Sequence, residues 1–192
     1  MMKEARPTPA LLEAVASGND LARRALVEAW GPTVLAWCAR LGGPGLDPED
    51  AAQEVVLRLL DALPRLRDPE AFPTWIFRIT RTVLVRERRR AWVRRRWPGT
   101  PPDCTSRDDP EQDALAADVR AAVEAMPPDL REVLVLCEVE ARTDDEAAAI
   151  LTIPVGTVKS RLRRARLAFE REARCRGLLD ETQVPECEWG SR

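Results

Sequence analysis

Histidine and tyrosine are absent from all 192 residues. Without histidine the chain lacks the commonest general base, the commonest zinc ligand and any Cys-His or Ser-His nucleophile pair, so most hydrolytic chemistry is disfavoured and no enzymatic activity is expected. No run approaches the ~20 apolar residues of a membrane span, and no charged-then-apolar leader opens the chain. The expectation is a soluble, cytoplasmic protein without membrane insertion. Cysteine is sparse: Cys38, Cys104, Cys137, Cys175 and Cys187 are odd in number, widely spaced and without a C-x-x-C pair. That pattern supports neither a disulfide framework nor a metal site, and no metal or cofactor is expected. The thiols read as reduced packing residues, with a sensor built on Cys175 and Cys187 as the alternative. Alternating β-branched runs are also missing, while Ala, Leu, Arg and Glu abound, so the fold class is all-α.

Charge is plentiful and unevenly placed. The net charge of −2 conceals a segment from Trp75 to Trp97 with nine Arg against the single acid Glu87, a net +8. A second block, residues 156–176, sums to +6, whereas residues 98–113 sum to −4 and residues 114–155 to −6. Two basic blocks, each beside an acidic stretch, predict two polyanion-binding surfaces on one chain.

Periodicity divides the chain into two helical domains, 8–97 and 112–176, joined by a Pro-rich acidic linker over 98–111 and followed by an acidic tail, 177–192. In the first domain, apolar residues recur at three and four from Asn19 to Leu41, with a break expected at Gly31-Pro32. Asp47 fits an N-cap and Pro48 the first turn of a helix lined by Val55, Val56, Leu59, Leu60 and Leu63 that stops at Pro64. A Pro-rich connection leads to a helix starting near Thr74, with Trp75, Ile76, Ile79, Val83 and Leu84 on one side and Arg78, Arg81, Arg86 and Arg89 around the other. In the second domain, helices are expected over Ala114–Met126 and Leu130–Glu140. Thr143 to Glu146 forms a Thr-x-x-Glu capping box opening a short helix through Leu151. The turn Thr152-Ile153-Pro154 leads into a long helix from Val155 to about Arg174.

That last pair of helices reads as a helix-turn-helix. Val158, Leu162, Ala165 and Phe169 make a buried stripe; Ser160, Arg163 and Arg164 lie opposite, Thr157 and Lys159 flank them, and Arg161 is nearer the buried edge. Gly156 and Thr157 put free N–H donors at a positive helix end, which suits a phosphate, and the cations beyond can reach guanine edges or phosphates. A solvated charged helix on a small bundle would show the same pattern.

Residues Ala149 to Arg166, AILTIPVGTVKSRLRRAR, resemble the promoter-reading helix-turn-helix of the extracytoplasmic-function (ECF) group of bacterial sigma factors, and Met126 to Val133 is similar to the segment that leads into that domain. The resemblance implies −35 recognition by Gly156, Thr157, Lys159, Ser160, Arg161, Arg163 and Arg164. Asp47 to Val55, DPEDAAQEV, resembles the acidic helix of the same family that docks on RNA polymerase. Asp50, Gln53 and Glu54 lie on adjacent turns and offer two carboxylates and an amide to a basic partner; helix capping by Asp47 and Glu49 accounts for part of the acidity. Phe72 to Arg81, FPTWIFRITR, resembles the helix that reads and opens the −10 element, which implies roles for Trp75, Arg78, Arg81, Thr82, Arg86 and Arg89. Opening DNA costs a few kcal/mol per unstacked base, which aromatics and a basic groove offset; Phe72, Trp75 and the Arg run supply both, although Trp75 also reads as a core aromatic. Trp92 and Trp97, among arginines, are read as contacts to polymerase or DNA.

The chain departs from the family pattern at Thr82 and Arg86, where Asn and Asp are usual, at Thr152, where Gly is usual, and at Ala141-Arg142-Thr143. These changes bear on specificity more than on fold. The resemblance implies a factor that binds core RNA polymerase and promoter DNA, that is monomeric when free and that an anti-sigma factor holds, with the linker threading the polymerase. The other readings are a stand-alone helix-turn-helix regulator, which would need a ligand pocket or dimer interface in the first domain, and an RNA-binding protein using the same Arg blocks.

Overall fold

The computed structural model describes residues 6–96 and 114–179, with the side chains of 92–96 and 114 left undescribed. The expected linker, Trp97, Cys104, Cys187 and most of the acidic tail lie outside these residues, as does the side chain of Trp92. Every regular element described is helical: α1 (Pro9–Ala16), α2 (Asp20–Leu41), α3 (Pro48–Ala62), α4 (Phe72–Arg96), α5 (Ala114–Glu124), α6 (Pro128–Leu134), α7 (Asp144–Leu151) and α8 (Val155–Cys175).

Helix starts follow capping chemistry. The side chains of Thr8, Asn19 and Asp47 accept bonds from the first-turn amides of α1, α2 and α3, and Pro occupies the first turn of α1 and α3, where its missing N–H costs nothing. Asp47 takes two such bonds, from the N–H groups of Glu49 and Asp50 at 2.8 and 3.1 Å. The break expected at Gly31-Pro32 does not occur, and α2 runs continuously through Pro32. An interior proline costs about 3 kcal/mol. Here Leu26, Trp30, Val34, Trp37 and Leu41 are all buried on either side of it, so packing of both halves against α3 and α4 outweighs the lost hydrogen bond. The connection from Leu63 to Ala71 contains two 3₁₀ turns, and α4 begins at Phe72, two residues before the expected start. The expected helix from Leu130 to Glu140 is α6 continued by a π turn, Val135–Val139.

Burial assembles one contiguous apolar cluster that extends from Leu12 on α1 to Ala165 on α8. In the N-terminal half an aromatic chain holds it: Trp30 meets Phe72 edge-on at 5.1 Å, and Trp37 meets Phe77 edge-on at 5.1 Å. In the C-terminal half Val133, Ala147, Val158 and Ala165 are fully enclosed, which sets α8 against α6 and α7. The two halves touch where α2 and α4 meet α5, α6 and α7.

Candidate nucleic-acid interface

The helix-turn-helix is built as its residues dictate. Thr143 Oγ1 accepts the Glu146 N–H at 3.2 Å, and the Glu146 carboxylate accepts the Thr143 N–H at 2.8 Å, a reciprocal box that starts α7. The bond from the Thr143 N–H to the ionised form, above all, holds the Glu146 carboxyl below the ordinary carboxylate range, burial acting the other way. Thr152 ends α7 in the left-handed region, at φ 58°, and Pro154 precedes α8.

On α8, Val158, Leu162 and Ala165 are buried and Phe169 is half-buried. Gly156, Lys159, Ser160, Arg163 and Arg164 are exposed, and Thr157 is half-buried. Lys159, Arg163 and Arg164 make no ion pair among the described residues, so their charge faces solvent. A side chain at Gly156 would meet nothing within 4 Å, leaving the helix start open for close approach of a ligand backbone. Ser160 Oγ donates to the Thr157 carbonyl at 3.0 Å. Arg161 differs from its neighbours: it is half-buried and 3.5 Å from the Asp129 carboxylate.

The −10 set divides in two. Thr82, Arg86 and Arg89 are exposed on α4; the Thr82 hydroxyl donates to the Arg78 carbonyl at 2.8 Å. Arg78, itself exposed, and Arg81, half-buried, reach the C-terminal half. Arg78 Nε donates to the Ile150 carbonyl at 3.1 Å and Nη2 donates to the Ala149 carbonyl, both at the end of α7. Arg81 Nε donates to Glu132 Oε2 at 2.8 Å. Phe72 is fully buried, which removes it from the expected base-stacking pair: its ring fills the core against Trp30. Trp75 is half-buried, with its ring centroid 6.1 Å from that of Phe72, and serves the core on at least one face.

On α3, Ala51, Val55 and Leu59 point inward, whereas Asp50 and Gln53 are exposed and Glu54 is half-buried and bonded to Arg58 at 2.8 Å. Leu57, one turn beyond, shares their stripe and is 60% exposed. Sequence reading left it out of the core face, which was drawn through Val55, Val56, Leu59, Leu60 and Leu63, and out of the partner face as well, because that face was read from its carboxylates and amide alone. It also missed Arg88, Arg131, Glu132 and Glu140. The spacing of Arg81 and Arg88, two turns apart on one face, was the available signal.

Two family models match in tandem, Sigma-70 region 2 over residues 26–94 and Sigma-70 region 4 over residues 116–169. The ECF RNA polymerase sigma-E factor of Escherichia coli K12 is 31% identical over an alignment covering 88% of this chain and 95% of that protein.

The chain belongs to the ECF group of RNA polymerase sigma factors.

The RNA polymerase sigma-H factor of Pseudomonas aeruginosa is 30% identical, with 84% of this sigma factor and 91% of that one covered. ECF sigma factor SigE of Mycolicibacterium smegmatis is 33% identical over 134 residues, and there the match spans about half of the relative, 52% of its length. Among solved structures, CnrH in complex with the cytosolic domain of CnrY superposes with a TM-score of 0.60 at 29% identity, covering 86% of this chain and 96% of that one. Sigma factor RpoE from Bartonella quintana, solved with the anti-sigma factor NepR, has the same fold, with a TM-score of 0.65 at 20% identity. With region 2 matched across α2 to α4, the stand-alone regulator is not favoured. No helix among the described residues is long and apolar enough to cross a membrane.

Proposed function

We propose that this sigma factor binds core RNA polymerase through the outer stripe of α3 and carries it to promoters read by two basic surfaces. Asp50, Gln53 and Glu54 supply the polar part of the polymerase face, and Leu57 supplies an apolar anchor within it, the kind of residue that carries binding energy when desolvated. The N-terminal half of α8 lies in the −35 major groove. Gly156 and Thr157 bring backbone donors to a phosphate, Lys159, Ser160, Arg163 and Arg164 reach base edges and phosphates, and Arg161 is positioned from the side by Asp129. On α4, Arg78, Arg81, Thr82, Arg86 and Arg89 track the −10 strand, with Trp75 at their start. The two DNA surfaces belong to separate domains joined by the acidic segment over 98–111, which threads the polymerase. The factor works by binding alone, without catalysing a reaction, in the cytoplasm, as a monomer when free. The solved complexes of CnrH with CnrY and of RpoE with NepR support an anti-sigma partner.

The observation that carries this reading is the exposed face of Lys159, Arg163 and Arg164 on α8, unpaired among the described residues, on a capped helix-turn-helix, in one chain with an α3 stripe on which Asp50, Gln53 and Leu57 are exposed. The test is co-elution of the purified chain with bacterial core RNA polymerase, wild type against Asp50→Lys/Glu54→Lys. Wild type is expected to co-elute and to support run-off transcription, and the variant to do neither. Failure of the wild type to bind in the absence of any anti-sigma protein would overturn the proposal.

A further inference from the structure

The outer stripe of α4 carries a feature that charge alone does not explain. Residues three and four apart on a helix are neighbours, so Arg78, Thr82, Val85, Arg86 and Arg89 form one stripe, opposite the side that buries Ile76, Thr80, Val83 and Leu84. Arg81 and Arg88, on the flank of the helix, are held by the Glu132 carboxylate at 2.8 and 3.4 Å. Arg86 and Arg89 are exposed and make no ion pair among the described residues. Beside them stands Val85, 49% exposed.

A valine there serves neither the helix nor the core. Its β-branched side chain is a poorer helix former than Arg, Lys or Glu, and about half of its surface meets solvent. Thr82, next to it on the stripe, is apolar toward solvent for a different reason. Its hydroxyl donates to the Arg78 carbonyl one turn back at 2.8 Å, so its proton is spent inside the helix and none is left for a base. What the stripe offers beside Arg86 and Arg89 is therefore a small group of methyls.

The chemistry of this surface selects its occupant. Guanidinium groups fit the phosphates of a polynucleotide strand. An apolar spot between them fits the apolar substituent that a DNA base carries, the C5-methyl of thymine. Uracil lacks that methyl, so the same surface separates DNA from RNA.

We propose that Thr82 and Val85 form a thymine-methyl contact on the −10 strand, with Arg86 and Arg89 holding the phosphates on either side of that base. The contact rests on the reading of α4 as a DNA surface, and adds to it a base preference and Val85, a residue that reading leaves out. Loss of the methyl is expected to lower affinity about fourfold, the scale of one buried CH₂ group.

The test uses the full chain without polymerase and fluorescence anisotropy, with a single-stranded oligothymidylate and an oligodeoxyuridylate of equal length, which differ only in the C5-methyl. Wild type is expected to bind the thymine strand about fourfold more tightly. Thr82→Ser/Val85→Ser removes the methyls at two exposed sites, so the fold is retained, as an unchanged melting temperature would report. This variant is expected to bind both strands alike, at the wild-type affinity for the uracil strand. Equal wild-type affinities would overturn the contact, and so would a thymine preference that survives in the double serine variant. Arg86→Gln/Arg89→Gln, measured alongside, tests the underlying reading and is expected to weaken both strands together. If it binds both as tightly as wild type, or if wild type binds neither, α4 is not the DNA surface and the contact falls with it. If it weakens both while wild type shows no thymine preference, the DNA surface stands and only the methyl contact is removed.

Discussion

Thr152 shows how much one residue can cost. It is β-branched and sits at φ 58°, ψ 47°, a conformation that disfavours any side chain with a Cβ by about 1–2 kcal/mol. Thr152→Gly is expected to stabilise the C-terminal half by about 0.5–1 kcal/mol once the extra chain entropy of glycine is deducted, read as a rise in melting temperature. Gly43 is the converse. Its φ of +86° and the 2.8 Å approach of Arg131 mean that Gly43→Ala adds strain and expels a buried guanidinium, and it is expected to destabilise the folded chain in a denaturant titration. Glu146 links one residue to pH. Its folded pKa lies below the unfolded value because the charged form holds the α7 cap. The cap's contribution is therefore complete above the unfolded value and is lost as pH falls through the folded one. Glu146→Gln keeps a capping acceptor but does not titrate, and its acid-unfolding limb below about pH 4 is expected to be shallower than that of wild type. Burial pushes the Cys38 thiol up to about 12 and, with Asp144 and Glu138, the Cys137 thiol up to about 11, which suits packing residues rather than reactive ones.

At the scale of single helices, α8 and α3 each present one face to the core and one to a proposed partner. Removing two phosphate-binding cations from α8 reduces the salt dependence of duplex binding by about 1.8 in the slope of log K against log salt. Lys159→Ala/Arg163→Ala is expected to show that change in anisotropy titrations against a promoter duplex, and an unchanged slope would remove these two residues from the interface. On α3, Leu57→Ala is expected to weaken core polymerase binding about tenfold, the scale of an interface anchor, while leaving the melting temperature in place because Leu57 is 60% exposed. Pro32 marks the limit of local reading. Its breaking tendency is real, yet Trp30 and Trp37 on opposite sides of it are buried in one aromatic cluster, and that packing keeps α2 whole.

Across the whole molecule the seam makes the two halves one cooperative unit. Arg131 and Glu132, both buried, satisfy partners in the other half, and removing one side of such a contact strands the other in a low dielectric. Wild type is accordingly expected to unfold in one calorimetric transition, and Glu140→Ala, which removes the seam's acceptor for Trp37 Nε1 and its ion pair with Arg40, to separate it into two.

Helix positions, the capping box and the basic face of α8 were legible along the chain because they depend on residues a few positions apart: caps on the first turn, stripes on a period of 3.6. The two sigma regions were legible for the same reason, since each carries its motif in one short run. The proposed −35 residues stood out as charge on a helix whose other face is plainly apolar. The fate of Phe72, the exposure of Leu57 and the engagement of Arg78, Arg81 and Arg88 were not legible. Whether an arginine meets solvent or a carboxylate 51 positions later depends on how α4 and α6 pack, and pairwise contacts at that separation leave no period in the sequence. The chain by itself determined what kind of surfaces it carries; only the tertiary structure decided which are open, because that depends on contacts between residues far apart along the chain, Arg81 with the Glu132 carboxylate and Arg131 with the Leu41 carbonyl.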